Sequence, residues 1–341
     1  MGTASLTTAH GDMTAGKVLV TGATGFTGGA LVRRLASHNA PVRALVRDQA
    51  RAAPLADVGV EVVQGDLCDP ASLREAMRGV GVVYHIAALY RQQGVEPGLF
   101  REVNAAAVQH LLDAAIEAGV SRFVHCSTVG VHGHIEQPPA AEDAPFAPGD
   151  LYQESKLEGE RIAARYMAEG RLPVTIFRPA GIYGPGDLRF LKLFRGIKRG
   201  RFPMIGDGQV FYHLVYIDDL VDGIIRCGTV DEAIGETFIL AGPEYMTLNE
   251  LVATVAEGVG GRPPWLRIPL APVYAAAALC EAVCRPLGLE PPLHRRRVDF
   301  FTKSRAFDIA KARRELGYAP RVSVREGVAR TGAWYAEQGL L

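Results

Sequence analysis

No stretch of this 341-residue chain reaches the ~18 uninterrupted apolar residues that a membrane-spanning helix needs. Charge of one sign is not in excess. Lys plus Arg and Asp plus Glu both number 37, so no basic footprint points to nucleic acid. Cysteine is sparse and odd in number: Cys68, Cys126, Cys227, Cys280 and Cys284 are scattered, which argues for buried or idle thiols in a reducing cytoplasm and against a disulfide framework. The first fifteen residues have neither the basic start nor the apolar core of a secretory signal, and are read as a flexible tail over 1–15. Internal repeats and low-complexity linkers are missing. His125, His132 and His134 lack carboxylate or thiolate neighbours at ligand spacing beyond Cys126, so they are read as strand and loop histidines and no metal is expected.

What is present is a large apolar fraction, 48%, ample for a continuous core. Strand-like runs at Lys17–Thr21, Val42–Val46, Val60–Gln64, Gly81–His85, Arg122–Cys126 and Val174–Phe177 alternate with longer helical patterns. Those patterns cover Gly28–Ser37, Pro70–Arg78, Leu99–Ala118 and Tyr152–Glu169. Such alternation predicts an α/β fold, a doubly wound parallel Rossmann sheet covered on both faces, with ligands at the strand C-termini. Beyond Pro179 the rhythm breaks and glycine and proline cluster, which predicts a smaller, irregular C-terminal substrate lobe. The expected division is 16–180 for the cofactor-binding domain and 181–341 for a lobe interleaved with it. Within that lobe Leu270–Cys284 is apolar except for Glu281. A helix packed on the core is the expectation, with a roof over a lipophilic pocket or a peripheral membrane contact left open.

Gly22, Gly25 and Gly28 follow the first strand and open a helix. The first permits a sharp turn, the second lets the backbone approach a pyrophosphate, and the third allows close helix–strand packing. The helix start then offers unpaired N–H groups and a positive dipole end to phosphates. Tyr152 and Lys156 stand one helical turn apart, so their side chains share a face. A phenol of ordinary pKa near ~10 is a poor base at neutral pH, and a neighbouring ammonium favours its phenolate.

Together, the Thr21–Gly28 segment (TGATGFTG), Gly65-Asp66-Leu67 after strand three, and Tyr152-x-x-x-Lys156 resemble the extended short-chain dehydrogenase/reductase family, from about Lys17 to Trp334. The resemblance implies an enzyme using NAD or NADP, with Thr24 and Phe26 joining the three glycines at the cofactor, and Asp66 and Leu67 at its adenine. It implies that Thr128, supported by Ser127, donates a hydrogen bond to the substrate oxygen while Tyr152 moves the proton. Lys156 is expected to tune Tyr152 and to hold the nicotinamide ribose. Ala87 and Ala88 fall where relatives wrap the adenosine, and Asn104 fits a structural asparagine. Arg178–Pro185 resembles an RPxxxYGP segment that brings Pro179 and Ile182 to the nicotinamide. Arg47 ends strand two where NAD-using relatives carry Asp, which favours NADP, while Asp48 beside it keeps NAD open. The family's helix pairing, over Leu99–Ala118 and Tyr152–Glu169, implies a homodimer.

The C-terminal half bears on the substrate, expected to be a small molecule. Where nucleotide-sugar epimerases and dehydratases carry RDFVYVDD, this chain reads Tyr212-His213-Leu214-Val215-Tyr216-Ile217-Asp218-Asp219, with the last two read as a helix N-cap. Ile268-Pro269-Leu270, the apolar helix, His294–Val298, Phe307–Ala312 and Leu316–Pro320 resemble the 3β-hydroxysteroid and sterol-4α-carboxylate dehydrogenase branch. The leading expectation is hydride transfer from a secondary alcohol of a sterol-like substrate, with decarboxylation following where a carboxylate lies beta to the new ketone. A nucleotide-sugar epimerase or dehydratase with recycled NAD is the alternative, and Arg297 is a candidate partner for either a phosphate or a sterol carboxylate. A non-catalytic cofactor-binding regulator is the third reading.

Overall fold

Seven short runs, apolar and mostly β-branched, form the centre of the molecule in a computed structural model that describes residues 16–90, 94–284, 286 and 295–341. The tail read over 1–15 lies outside the described residues. The strands are β1 (Lys17–Thr21), β2 (Val42–Val46), β3 (Glu61–Gln64), β4 (Val80–His85), β5 (Arg122–Cys126), β6 (Val174–Pro179), β7 (Gly181–Tyr183), β8 (Met204–Ile205), β9 (Phe211–Tyr216), β10 (Thr237–Leu240), β11 (Tyr245–Thr247) and β12 (Arg267–Ile268). The helices are α1 (Phe26–Ser37), α2 (Ala53–Ala56), α3 (Pro70–Ala76), α4 (Pro97–Arg101), α5 (Ala107–Glu117), α6 (Leu151–Ala168), α7 (Leu191–Lys198), α8 (Ile217–Thr229), α9 (Leu248–Val259), α10 (Leu270–Cys284), α11 (Arg295–Thr302), α12 (Ala310–Leu316) and α13 (Val324–Glu337).

The central sheet is wholly parallel, in the order β10-β6-β5-β4-β1-β2-β3. One face is covered by α1 and α8, the other by α3, α5 and α6, and a separate apolar cluster fills each face. This is why β1, β2 and β5 read as nearly continuous apolar runs. The strand order reverses between β1 and β4, and a crevice opens at that switch point beyond the strand ends. Residues 237–240 return to the central sheet as β10, so the C-terminal half is woven into the Rossmann core.

Three details depart from the sequence expectations. The pattern over 99–118 is divided: a wide π turn over Glu102–Ala106 separates α4 from α5. That turn carries the buried Asn104, whose carboxamide accepts from Leu89 N at 2.7 Å and donates to the Leu89 carbonyl and Ser155 Oγ, each at 3.0 Å. Secondly, Asp218 and Asp219 are not N-caps, because the cap position of α8 is Tyr216. Asp219 instead accepts from the backbone N–H groups of Arg321 and Val322, at 3.1 and 2.9 Å, tying α8 to the approach to α13. Thirdly, α10 is not packed into the core. Only Ala277 and Glu281 are buried, while Tyr274, Leu279 and Val283 are exposed, and Trp265 just ahead of the helix is 83% exposed. The neighbouring thiols Cys280 and Cys284 stand 4.0 Å apart and are not bonded.

Beneath the crevice, His85 on β4 and His125 on β5 are paired in register, with ring centroids 5.4 Å apart, and both are buried. Thr21 Oγ1 lies 2.8 Å from His85 Nδ1, whereas neither ring nitrogen of His125 has a hydrogen-bond partner among the described residues. Burial, reinforced by the nearby Lys156 charge, pushes His85 down to about 3 and holds His125 well below the ordinary imidazole value. Below about pH 6.5 the unfolded chain binds protons at both rings and the folded chain does not, so stability is full above that pH and falls as pH drops. Each ring should cost about 1.4 kcal/mol per pH unit below 6.5, and for His85 the loss continues toward pH 3. Urea titrations of wild type and His125→Phe between pH 7 and pH 5 check this: the variant should lose one ring's share of the slope, and an unchanged slope would contradict it.

Candidate active site

The loop from β1 to α1 builds the phosphate end of the crevice. Gly22 has φ +72°, and a Cβ there would lie 2.8 Å from the Ala87 backbone. A Cβ on Gly28 would lie 2.2 Å from the Gly22 carbonyl oxygen, so only hydrogen fits at either position. Gly25 N donates to the Gly22 carbonyl at 2.9 Å and closes the turn. Gly25 then occupies the N-cap of α1, where no side chain caps the helix and no acidic residue enters its first turn. The amides at this helix start therefore face the crevice beside a positive dipole end, an arrangement suited to a pyrophosphate. The residues fit a dinucleotide.

The crevice is a cleft of about 660 Å³, lined by Thr128, Tyr152, Lys156 and each of the residues expected to hold the NADP-type cofactor, Arg47 among them. Thr24, Phe26 and the three glycines form its phosphate floor; Arg47, Asp66 and Leu67 line the end beyond β2 and β3; Ala87 and Ala88 follow β4. Thr128, Tyr152 and Lys156 line the opposite end together with Pro179 and Ile182. Asp66 is shaped by a local turn in which its carboxylate accepts from Cys68 N at 2.9 Å. Asp48 does not line the cleft, and its carboxylate accepts from Ala50 N at 2.9 Å. The Arg297 side chain lies outside the described residues.

At the reacting end, Asp150 caps α6 by accepting from Gln153 N at 2.9 Å, so the helix starts just ahead of Tyr152. The Tyr152 ring meets Tyr90 edge to face, at 4.9 Å between centroids. Lys156 is 2% exposed and donates from Nζ to the Cys126 carbonyl at 2.6 Å. Burial lowers its pKa, while Cys126 and Glu160 favour the charged form. Thr128 Oγ1 accepts from Gly130 N at 3.0 Å, which directs the hydroxyl and leaves its proton to donate. A phenol, an ammonium and a hydroxyl donor thus converge on one end of a dinucleotide-shaped cleft. They can exchange a proton with, and hydrogen-bond to, an oxygen whose carbon faces a nicotinamide.

Behind them lies a buried network that the sequence reading missed. Ser127 Oγ donates to Glu160, which also forms a forked ion pair with Arg178, Nη2 to Oε1 at 2.6 Å. Arg178 further donates to the Glu142 carbonyl at 2.7 Å and to His132 Nε2 at 3.0 Å. His132 turns Nδ1 to the Pro145 carbonyl at 3.2 Å, the pattern of a neutral ring, and burial together with Arg178 lowers its pKa. Helical spacing, Lys156 to Glu160, was the available signal. Two cleft arginines were also missed. Arg189 pairs with the buried Asp187 at 2.7 Å and lies over the rings of Phe26 and Tyr90, and Arg305 enters from the C-terminal half. No local motif marks either.

A doubly wound sheet with a phosphate cradle at its switch point and a Tyr–Lys pair defines a nicotinamide-dependent enzyme of the extended short-chain type. The chain belongs to the NAD dependent epimerase/dehydratase family, whose model matches residues 18–241. It is 33% identical over 333 residues to sterol demethylase protein B of Methylococcus capsulatus, covering 95% of this chain and 99% of that protein. It is 31% identical over 358 residues to the 3 beta-hydroxysteroid dehydrogenase/Delta 5-->4-isomerase of Mycobacterium tuberculosis (98% and 93% covered). With the 2-alkyl-3-oxoalkanoate reductase of Stenotrophomonas maltophilia it shares 29% identity over 332 residues (93% and 98% covered). Among solved structures it resembles DesIV, a dTDP-glucose 4,6-dehydratase from Streptomyces venezuelae crystallised with NAD, at TM-score 0.74 and 28% identity over 94% of this chain and 97% of that one.

Removing only the Tyr152 hydroxyl tests the proton-transfer geometry. Tyr152→Phe should lower turnover by ~10²–10⁴-fold while leaving cofactor affinity unchanged. Steady-state kinetics beside a fluorescence titration with reduced cofactor would read both, and a fully active variant would refute the assignment.

Proposed function

We propose that the protein transfers hydride from a secondary alcohol of a lipophilic, sterol-like substrate to a nicotinamide cofactor. Tyr152 takes the hydroxyl proton on its phenolic oxygen, Lys156 favours the phenolate by its charge, and Thr128 donates a hydrogen bond to the substrate oxygen. The bound nicotinamide supplies the hydride acceptor. The observation that carries the substrate class is the fate of Tyr212 and His213, which stand where sugar-nucleotide enzymes carry Arg-Asp. Both are buried. The Tyr212 hydroxyl donates to the Phe300 carbonyl, and His213 bridges the Gly242 carbonyl (3.0 Å) and Phe307 N (3.3 Å). Neither side chain offers a charge to a diphosphate sugar. Similarity to sterol demethylase protein B and to the mycobacterial hydroxysteroid dehydrogenase supports the same class. Likeness to DesIV supports the second reading, a nucleotide-sugar epimerase or dehydratase with recycled NAD.

NADP is the proposed cofactor, with NAD as the alternative. Arg47 lines the cleft past β2, where a 2′-phosphate would lie, while the Asp48 carboxylate is engaged with Ala50 N.

We also propose a homodimer about α6. Its exposed row runs Glu154, Glu158, Arg161, Arg165, acidic first and basic last. Antiparallel pairing of two copies sets Glu154 against Arg165 and Glu158 against Arg161, a self-complementary match suited to a two-fold axis. The exposed apolar α10, with Trp265, is proposed to rest on a lipid surface from which such a substrate is drawn.

Nicotinamide absorbance tests the function: 3β-hydroxysterols with and without a 4-carboxylate should yield reduced cofactor, faster with NADP⁺ than NAD⁺. Arg47→Ser should cut the NADP⁺ kcat/KM by about tenfold or more and spare NAD⁺. Flat absorbance with all sterols, alongside conversion of a nucleotide sugar, would overturn the reading in favour of the epimerase. Sedimentation without vesicles and flotation with phosphatidylcholine vesicles test assembly: a dimer mass is expected, shifted to monomer by Glu158→Lys with Glu154→Lys, and the protein should float with the lipid. A wild-type monomer, or no flotation, would refute the corresponding proposal.

A further inference from the structure

Three arginines line the cleft: Arg47 past β2, Arg189 over the rings of Phe26 and Tyr90, and Arg305, which follows Ser304, bonded to His134 in the connection from Thr128 to α6. Arg189 is already committed, to the Asp187 carboxylate and to the Ile182 carbonyl at 2.8 Å. Arg305 is different. Its side chain is half-buried, makes no ion pair among the described residues, and its Nε is buried without a hydrogen-bond partner. A guanidinium in that state is a rigid planar fork of donors, matched in geometry to a carboxylate.

The backbone beneath it is pinned from both sides. Arg305 N donates to the Phe211 carbonyl at 2.8 Å, and Ser304 N donates to His134 Nδ1 at 3.0 Å. On the same side as His134, opposite Phe211, Ile135 N donates to the Ser304 carbonyl and Ala140 N to the Ala306 carbonyl. Preorganisation of this kind suits a recognition residue, because little freedom is lost when a ligand arrives. The nearest basic neighbour along the chain, Lys303, is paired with Asp299 at 2.9 Å, which leaves Arg305 as the cation of residues 303–307 with no ion pair among the described residues.

We infer, building on the alcohol-oxidising reading above, that Arg305 is a specificity-determining residue that receives a carboxylate carried by the substrate close to the reacting carbon. The α1 amides and Arg47 would serve the cofactor's own phosphates, so an anion received at Arg305 would belong to the substrate. Arg305 selects a hydroxy acid over the corresponding neutral alcohol, and the Tyr152–Lys156 chemistry acts on either.

The test pairs a 3β-hydroxysterol 4-carboxylate with the same sterol lacking the carboxylate. Arg305→Met should raise KM for the acid by about ten- to a hundredfold with kcat little changed, and leave both constants for the neutral sterol near wild type. Arg305→Lys should recover part of the acid's affinity, and unchanged neutral-sterol kinetics report that either variant is folded. Equal losses on both sterols, or none on the acid, would overturn the inference. Calorimetric binding of the acid to the enzyme with reduced cofactor reads the subsite without hydride transfer. Arg305-dependent binding in an enzyme that oxidises neither sterol would sink the oxidoreductase reading and keep the carboxylate subsite. No binding of the acid, or Arg305-dependent binding of UDP-glucose instead, would remove the subsite itself.

Discussion

The ion pair between Glu160 and Arg178 holds the reacting end of the cleft together. Both residues are under 5% exposed, and each polar contact of the pair reaches a different part of the chain. Glu160 lies on α6, Arg178 on β6, Ser127 just past β5, and His132 and Glu142 in the connection that follows. Taking two charges out of water is costly, so such a pair is weak evidence of net stabilisation, although removing one partner alone typically costs ~3–5 kcal/mol. Its use is geometric. Glu160 stands one turn beyond Lys156 and two beyond Tyr152, so the anchor and the reacting pair share a helix face. Fixing Glu160 against β6 fixes the rotation of α6, and with it where the phenol and ammonium point. The same carboxylate holds Ser127, which sets the backbone from which Thr128 projects.

Charge is distributed with similar economy. The chain is neutral overall, yet cations outnumber carboxylates in the cleft lining: Arg47, Lys156, Arg189 and Arg305 against Asp66 alone, with the α1 amides beside them. A concave, low-dielectric cleft focuses that field on anionic ligands. Below it, His85 and His125 stay neutral because burial disfavours their charged forms, so Lys156 has no competing cation beneath it. Were either ring charged, it would repel the ammonium that favours the Tyr152 phenolate.

Much of this was legible from residues alone, and the reason is local. β1, β2 and β5 fall at the expected bounds because fully covered parallel strands leave continuous apolar runs between turn-forming residues. The glycine cradle is legible because Gly22 and Gly28 answer backbone contacts within a few residues or across one strand. Long-range pairing left no such trace. Asn104 sits in a π turn inside a pattern that is helical throughout, and the turn is set by its bonds to Leu89 and Ser155. Asp219 reads as a cap from its sequence neighbours, yet serves the chain a hundred residues on. For α10 an apolar composition signals burial, but its residues ring the whole helix and only one side meets protein.

His213 ties β9 to the segment that carries Arg305. β7 begins two residues after Pro179 and pairs with β9, so the stretch around His213 is fastened directly to the strand that carries Arg178. A charged pair at Tyr212 and His213 would demand solvent or a ligand, whereas Tyr and His are buried here and turn their polar atoms to backbone. His213 accepts from Phe307 N and donates to the Gly242 carbonyl, and burial keeps the ring neutral as those two bonds require. The Phe307 bond fixes the segment over 303–307 that bears Arg305. Tyr212 and His213 therefore present no charged side chain from β9, and the same imidazole braces the segment that carries Arg305 two residues before Phe307. On the proposed reading, the sheet and its Tyr–Lys pair supply the chemistry, while the segments laid against the sheet's C-terminal edge, braced by backbone bonds such as those of His213, supply the selection.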